Sequence, residues 1–404
     1  MSDIVRVVVG VDTHAATHHV AVLDAVSGRQ LGDREVRADQ QGYEQALLFA
    51  SSYGLVVRFG VEGTSSYGAG LARYLRGQGV EVKEIIRPRR SHRRLKGKSD
   101  PLDALEAARA VLDPVGLPTP KAGDGLVEAI RVTHTARSSA VKAHGAAIRQ
   151  IRSLMVTAPQ EIRSQLEGLP AEKLVARLAS SRPAGATTSA HAATWHALRH
   201  LARRYRDLGE EIDQHTLVLE VLVREVNPAL LAAHGVGTIH GAQLLITAGD
   251  NPERLNSEAS FAALCGTNPL PASSGQTTRH RLNRGGDRHA NSALHLIALT
   301  RMNTDARTRS YVKTLTARGK TKNEILRILK RAIAREMYHH LQNPHDTPIV
   351  DDLRPLRKAA KLTLQDVADH FQTTPTRISR IERGKQREDT FTTTYRTWLH
   401  THAS

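Results

Sequence analysis

Three short segments place four carboxylates in a pattern that few folds can use. Val7-Val8-Val9-Gly10-Val11 is an apolar, β-rich run that ends on Asp12, and Val56-Val57-Arg58-Phe59-Gly60-Val61 is another that ends on Glu62. Asp100 and Asp103 follow in Lys98-Ser99-Asp100-Pro101-Leu102-Asp103-Ala104. Pro101 suits the first turn of a helix, where its missing N–H costs nothing. The i, i+3 spacing then sets both aspartates on one helix face. Two acids at strand ends facing two on a helix form an oxygen-lined site for magnesium or manganese, the hard cations of phosphodiester chemistry. A strand-end aspartate by itself is ordinarily a solvated turn residue. The four together, in this order, carry the signal.

The elements around them alternate. Residues 4–12, 20–24 and a stretch near Glu35-Val36 read as strands, with Ser27-Gly28 as a turn. A helix over 41–52, a strand over 55–62, a helix over 67–76, a strand over 80–86 and a helix over 101–112 follow. Three strands and then alternating helices and strands is the order of the α/β ribonuclease-H-like fold, with Asp12 on the first strand and Glu62 on the fourth. Strand character then fades. Residues 126–156 and 191–226 read as long helices. In the second, Leu198, Leu201, Tyr205, Leu208, Ile212, His215, Leu219, Leu222 and Val226 recur at spacings of three and four. Val141, His144, Ile148, Ile151 and Met155 repeat that spacing in the first. This is a coiled-coil seam, and a hairpin within the chain fits it as well as a seam between subunits. The polar stretch between the two, including 181–185, reads as a loop or hinge.

Length alone, at 404 residues, suggests about three domains. Patterning divides the chain into 1–115, 120–227, 228–345 and 350–404. The third segment is mainly helical and opens with Gly235-Val236-Gly237, a turn of the helix-hairpin-helix kind that offers N–H groups to phosphate. An ordinary helical turn explains it equally well. The fourth is a small all-α unit. Thr363 caps a helix beginning Leu364, and Thr374, Pro375 and Gly384 bound a second one. The unit resembles the helix-turn-helix of Cro and phage repressors, whose second helix enters the major groove; Thr374, Thr376, Arg377 and Arg380 are the groove-facing candidates.

Lys and Arg number 57 against 40 Asp and Glu, a net charge of +17, which favours polyanions and nucleic acid first. No apolar run reaches spanning length and no charged-then-apolar leader opens the chain, so no membrane partner is expected. The single Cys265 rules out a disulfide framework and suits a reducing cytoplasm; it reads as a small buried side chain. Arg87, Arg89, Arg90, Arg93, Arg94, Lys96 and Lys98 gather just before Asp100. Beside a metal site, such a run reads as an arm gripping nucleic-acid backbone rather than a merely solvated face. Pro271-Ala272-Ser273-Ser274-Gly275 leads into Arg279, Arg281, Arg284 and Arg288. A serine hydroxyl needs activation to attack a phosphodiester, and guanidinium groups supply charge for the transition state. Considered alone, Ser-Ser-Gly is more often a flexible loop.

Val7-Val8-Val9-Gly10-Val11-Asp12-Thr13-His14, Val61-Glu62-Gly63-Thr64-Ser65-Ser66-Tyr67 and the Asp100–Asp103 motif resemble the N-terminal domain of DEDD transposases of the bacterial insertion sequence 110 family. Segments 235–245, 261–269 and 273–291 resemble that family's C-terminal transposase domain. The resemblance implies a RuvC-like domain that binds magnesium (or manganese) through Asp12, Glu62, Asp100 and Asp103. It also implies a nucleophilic serine matching Ser274, with Ser273 the neighbouring alternative. It further implies donor and target DNA, a structured guide RNA encoded by the element, and a homo-oligomer, dimer or tetramer, whose composite site takes acids from one subunit and serine from another. The helix-turn-helix tail departs from the family pattern. Two rivals remain at this level: a hydrolytic nuclease of the junction-resolvase type, and a DNA-binding regulator without catalysis.

Overall fold

The computed structural model describes residues 5–85, 99–182, 188–251, 255–271, 280–345, 347, 349–384 and 386–402. The chain forms two compact units, Met1–Glu128 with Ala248–Asn256, and Ala129–Thr247 with Ser257–Ser404. Among the described residues no helix is long and apolar enough to cross a membrane.

In the first unit, β1 (Arg6–Thr13), β2 (Thr17–Asp24), β3 (Gln30–Arg37), β4 (Leu55–Glu62) and β5 (Glu81–Ile85) form one sheet in the order β3-β2-β1-β4-β5. β1 pairs antiparallel with β2 and parallel with β4. This is the ribonuclease-H-like arrangement. Helices cover both faces, which is why β1 is valine-rich rather than alternately polar. Val7, Val9 and Val11 pack beneath α1 (Gln40–Ser51) and α2 (Ala69–Gly77), with Phe59, Leu71 and Leu75. Val8 faces the other way, toward Ala104, Ala107, Ala108 and Val111 around α3 (Asp100–Ala110). β3 is longer than the stretch around Glu35-Val36 that its sequence signals. As an edge strand carrying Asp33, Arg34 and Glu35, it is largely exposed and lacks an apolar run.

α3 lies unusually close to the sheet. A Cβ on Gly10 would sit 2.0 Å from the Ala108 N and 2.1 Å from the Ala104 O, and one on Gly60 would sit 2.9 Å from the Ala107 O. Glycine under alanine lets helix and strand backbones touch, and this fixes where α3 begins.

In the second unit, α4 (Leu126–Thr157) and α7 (Ala190–Val226) run antiparallel within the chain. His144 stacks on Tyr205 with ring centroids 3.6 Å apart, and Arg137 Nε donates to Thr216 Oγ1 at 2.8 Å. Ile151 packs with Leu198 and Ala202, so part of the heptad seam closes internally. The stretch between the long helices is not only a loop. It contains α5 (Gln160–Leu166) and α6 (Ala171–Ser180), whose Ile162, Leu166, Leu174 and Leu178 complete the same core. Their i, i+4 apolar spacing carries the helices despite polar surroundings.

There follow α8 (Pro228–Ala232), α9 (Thr238–Ala248), α10 (Glu258–Leu264), a hairpin of β6 (Pro269–Pro271) and β7 (His280–Leu282), α11 (Arg288–Thr304), α12 (Ala306–Ala317) and α13 (Lys322–Gln342). The tail comprises α14 (Leu353–Ala359), α15 (Leu364–His370), α16 (Pro375–Glu382) and α17 (Asp389–His402). Its core is Leu353, Val367, Ile378, Ile381, Tyr395 and Leu399. Within it Arg357 forms a bidentate pair with Glu382, at 2.6 and 3.1 Å, and Tyr395 donates its hydroxyl to the same carboxylate.

The tail is docked rather than dangling. The Arg387 N–H donates to the Ala232 carbonyl, and Gln386 Nε2 contacts His234 Nδ1 at 3.1 Å. Glu388 is the hub of this junction. Burial opposes its ionisation, but hydrogen bonds from His234, Arg377 and Gln386 outweigh that and hold its pKa down at about 2.

Two predictions follow from these contacts. Gly10→Ala should lower stability by about 3 kcal/mol or more, the upper range of overpacking, whereas Gly77→Ala, with open space around it, should stay within about 0.5 kcal/mol; urea unfolding compares them. The depressed Glu388 pKa means its stabilisation is full above the ordinary value of 4.5 and is lost as pH falls toward about 2. Glu388→Gln should therefore flatten the acid limb of the thermal-melting profile below pH 4.5; an unchanged limb would refute the hub role.

Candidate active site

Asp12 lies at the C-terminal end of the central strand, 7% exposed. Val11 pairs with Val61 across the parallel β1–β4 ladder, so Glu62 ends the adjacent strand at the same level. Thr13 Oγ1 ties the two ends by donating to the Glu62 carbonyl at 2.9 Å. α3 enters from the other face. Its first residue is Asp100, and Asp103, 4% exposed, follows one turn later, near enough to Asp12 to push its pKa up.

Asp12, His14 and Asp100 offer ligand atoms that all lie within 4.8 Å of one another. His14 Nε2 is 3.2 Å from Asp12 Oδ2 and 3.3 Å from Asp100 Oδ1. Asp12 Oδ2 and His14 Nε2 are nevertheless sealed from water without a well-directed hydrogen bond. Burial pushes the Asp12 pKa up; His14 opposes this, while Asp103 and Asp100 add to it. A buried carboxylate oxygen with only a poorly aligned imidazole beside it, crowded by two further acids, is destabilised until positive charge arrives. The donor set thus fits a hard divalent cation. His14 escaped the motif reading. Its signal is positional: two residues beyond Asp12, it shares that residue's side of the pleat.

The frame around the transposase-domain motifs is built differently. β6 and β7 pair with Leu270 opposite Arg281, and the connection between them carries Ser273, Ser274 and Arg279, which lie outside the described residues, as does the 87–98 basic segment. The hairpin's base is tightly built. Gly286, with φ of 89°, has room only for hydrogen, since a Cβ would sit 2.7 Å from the Leu264 O. Asn283 Nδ2 donates to Asn268 Oδ1 at 2.6 Å, and Asn291 Nδ2 donates to the Cys265 and Gly266 carbonyls. The buried Lys330 donates to Asn291 Oδ1 at 2.9 Å. Asp287 caps α11 and accepts from Thr247 Oγ1 at 2.6 Å. Cys265 is fully buried, its thiol pKa pushed up to about 12, an inert packing residue. The asparagines and Lys330 are scaffold that motif reading missed, because their partners lie across gaps in sequence that no local period reveals. Arg281, Arg284 and Arg288 are exposed.

On the tail, Thr374 caps α16 through the Arg377 N–H, and Thr376 and Arg380 are exposed. Arg377 is engaged: it pairs with Glu388, donates to Thr373 Oγ1 at 2.9 Å and lies 4.9 Å over the Phe391 ring.

Residues 9–158 match the family model of DEDD transposases of the IS110 type, described as Transposase. Residues 227–313 match that of the Transposase IS116/IS110/IS902 family, and 349–393 match a Helix-turn-helix domain. An "Insertion element IS110 uncharacterized 43.6 kDa protein" of Streptomyces coelicolor is 34% identical over 111 residues. That stretch is 27% of this chain and 27% of the relative. With the acid-bearing domain and the transposase domain both matched, in that order, the chain belongs to the IS110 family of transposases and carries an additional helix-turn-helix domain.

Proposed function

We propose that the protein is a recombinase that excises and inserts its own mobile element through attack of a serine on DNA phosphodiesters. The observation that carries this reading is the cluster of Asp12, His14 and Asp100 at the end of the central strand, in a chain that also has a transposase-domain match. Asp12, Glu62, Asp100 and Asp103 would hold magnesium or manganese. A divalent cation bound there supplies Lewis-acid stabilisation of charge on the phosphoryl oxygens.

The chain's own residues do the rest. Oγ of Ser274 forms a bond to phosphorus and gives up its proton. The bond from phosphorus to a deoxyribose oxygen breaks, and that oxygen takes up a proton, so the phosphodiester count is conserved as a protein–DNA ester. Religation reverses the exchange with a different strand end. Arg281, Arg284 and Arg288, exposed beside the hairpin, and Arg279 offset charge on the phosphate. The 87–98 arm, with its seven cations, grips backbone without reading sequence. We assign sequence choice to base pairing by a structured RNA from the element. We infer an oligomer in which acids and serine come from different subunits.

Ser274→Ala should abolish the covalent protein–DNA adduct on denaturing gels while DNA binding persists; recombination at the normal rate would remove the serine from the mechanism. Asp12→Asn should reduce metal-dependent strand cleavage by a factor of about 100 or more, the scale of losing one key electrostatic group. Cleavage without any adduct in the wild type would point instead to a hydrolytic nuclease.

A further inference from the structure

A cleft of 1080 Å³ opens between the docked tail and α12. Its walls include Arg301, Arg307, Arg309, Tyr311, Arg377 and Arg387. From 306 to 323 the chain has no acidic residue, and it carries Arg307, Arg309, Lys313, Arg318, Lys320 and Lys322. The acids that do line the cleft are occupied. Glu336 pairs with Arg301 at 2.6 Å, Glu388 pairs with Arg377, and Asp305 caps α12 through Thr308. Arg307 and Arg309 are exposed and make no ion pair among the described residues.

We propose that this cleft seats the sugar-phosphate backbone of duplex DNA, so that α12 and the tail grip one duplex together. The reading rests on the chain acting on DNA, as argued above. Charge complementarity identifies the occupant: two unengaged guanidinium groups, with Thr304, Thr308, Thr390 and Thr394 hydroxyls between the walls, match phosphate oxygens, the contacts that position a duplex. Duplex DNA is favoured because Arg377, near the start of α16, the second helix of the helix-turn-helix, lines the same cleft. A duplex presented to α16 would run its backbone past Arg307 and Arg309. The Arg387–Ala232 and Gln386–His234 contacts hold the two walls at a fixed spacing. Such a seat gives the tail a positioning role inside the machinery, whatever sequence it reads.

The test uses the full chain, a mixed-sequence DNA duplex and a single-stranded RNA, with affinity measured across a salt series. In the double variant Arg307→Ala/Arg309→Ala, the slope of log affinity against log salt should fall by about 1.8, about 0.9 for each lost phosphate contact. Binding should weaken equally for unrelated duplexes, while Arg307→Lys/Arg309→Lys keeps the slope. Both side chains are exposed, so an unchanged melting curve certifies the fold. An unchanged slope would overturn the seat, and so would weakening confined to RNA or to one DNA sequence. A wild type that shows the full slope yet never cleaves would sink the recombinase reading alone and leave the seat standing.

Discussion

Backbone contact between α3 and the glycines beneath it is the constraint on which the rest of the site depends. Gly10 in β1 and Gly60 in β4 have no side chain to hold the helix off, and Ala104, Ala107 and Ala108 answer them from above. The helix is thereby set with Asp100 and Asp103 over the strand that carries Asp12. Asp12, Asp100 and Asp103, up to 91 residues apart in sequence, come together because that layer is thin. The same closeness seals Asp12 from water and raises its pKa. The packing that orders the acids also makes them repel one another, and a bound cation relieves that repulsion.

The second unit solves a comparable problem with polar groups. Where α3 sits on glycine, the β6–β7 hairpin is held by amide-to-carbonyl bonds from Asn283 and Asn291, with Lys330 behind them. Gly266 and Gly286 let the two motif segments pass within contact. A buried network that is satisfied in this way fixes one geometry, since losing any member leaves a neighbour without a partner. The glycine- and arginine-rich motif between 283 and 291 is thus divided in labour. Gly286, Asp287 and Asn291 build the frame, while Arg284 and Arg288 face solvent.

Much of the first unit was legible in its sequence, because strand and helix periods there are local. The Val7–Asp12 and Val56–Glu62 runs, the Pro101 helix start and the order of elements all follow from neighbouring residues. β3 was legible only at its end, since an edge strand needs little apolar surface. α5 and α6 were lost in a polar stretch because their apolar residues face one shared core. The Asn291–Lys330 pair was not legible, since its members meet only in the fold, and His14 carried only its position two residues past Asp12, the fold bringing Asp100 beside it. Arg377 shows the same limit from another side. Its position in a helix-turn-helix marks it as groove-facing, whereas its contacts with Glu388 and Phe391 are set by residues outside that motif.

The two units therefore share one logic, small or amide side chains that secure close backbone approach, and the tail adds a docked basic wall to the second. Whether α3 and the strand ends build a cation site can be read from anomalous diffraction by crystals of the full chain soaked in manganese. A peak is expected within coordination distance of Asp12 and Asp100, and it should vanish when Gly10→Ala moves α3 off the sheet. A manganese peak elsewhere, with none beside Asp12, would contradict it.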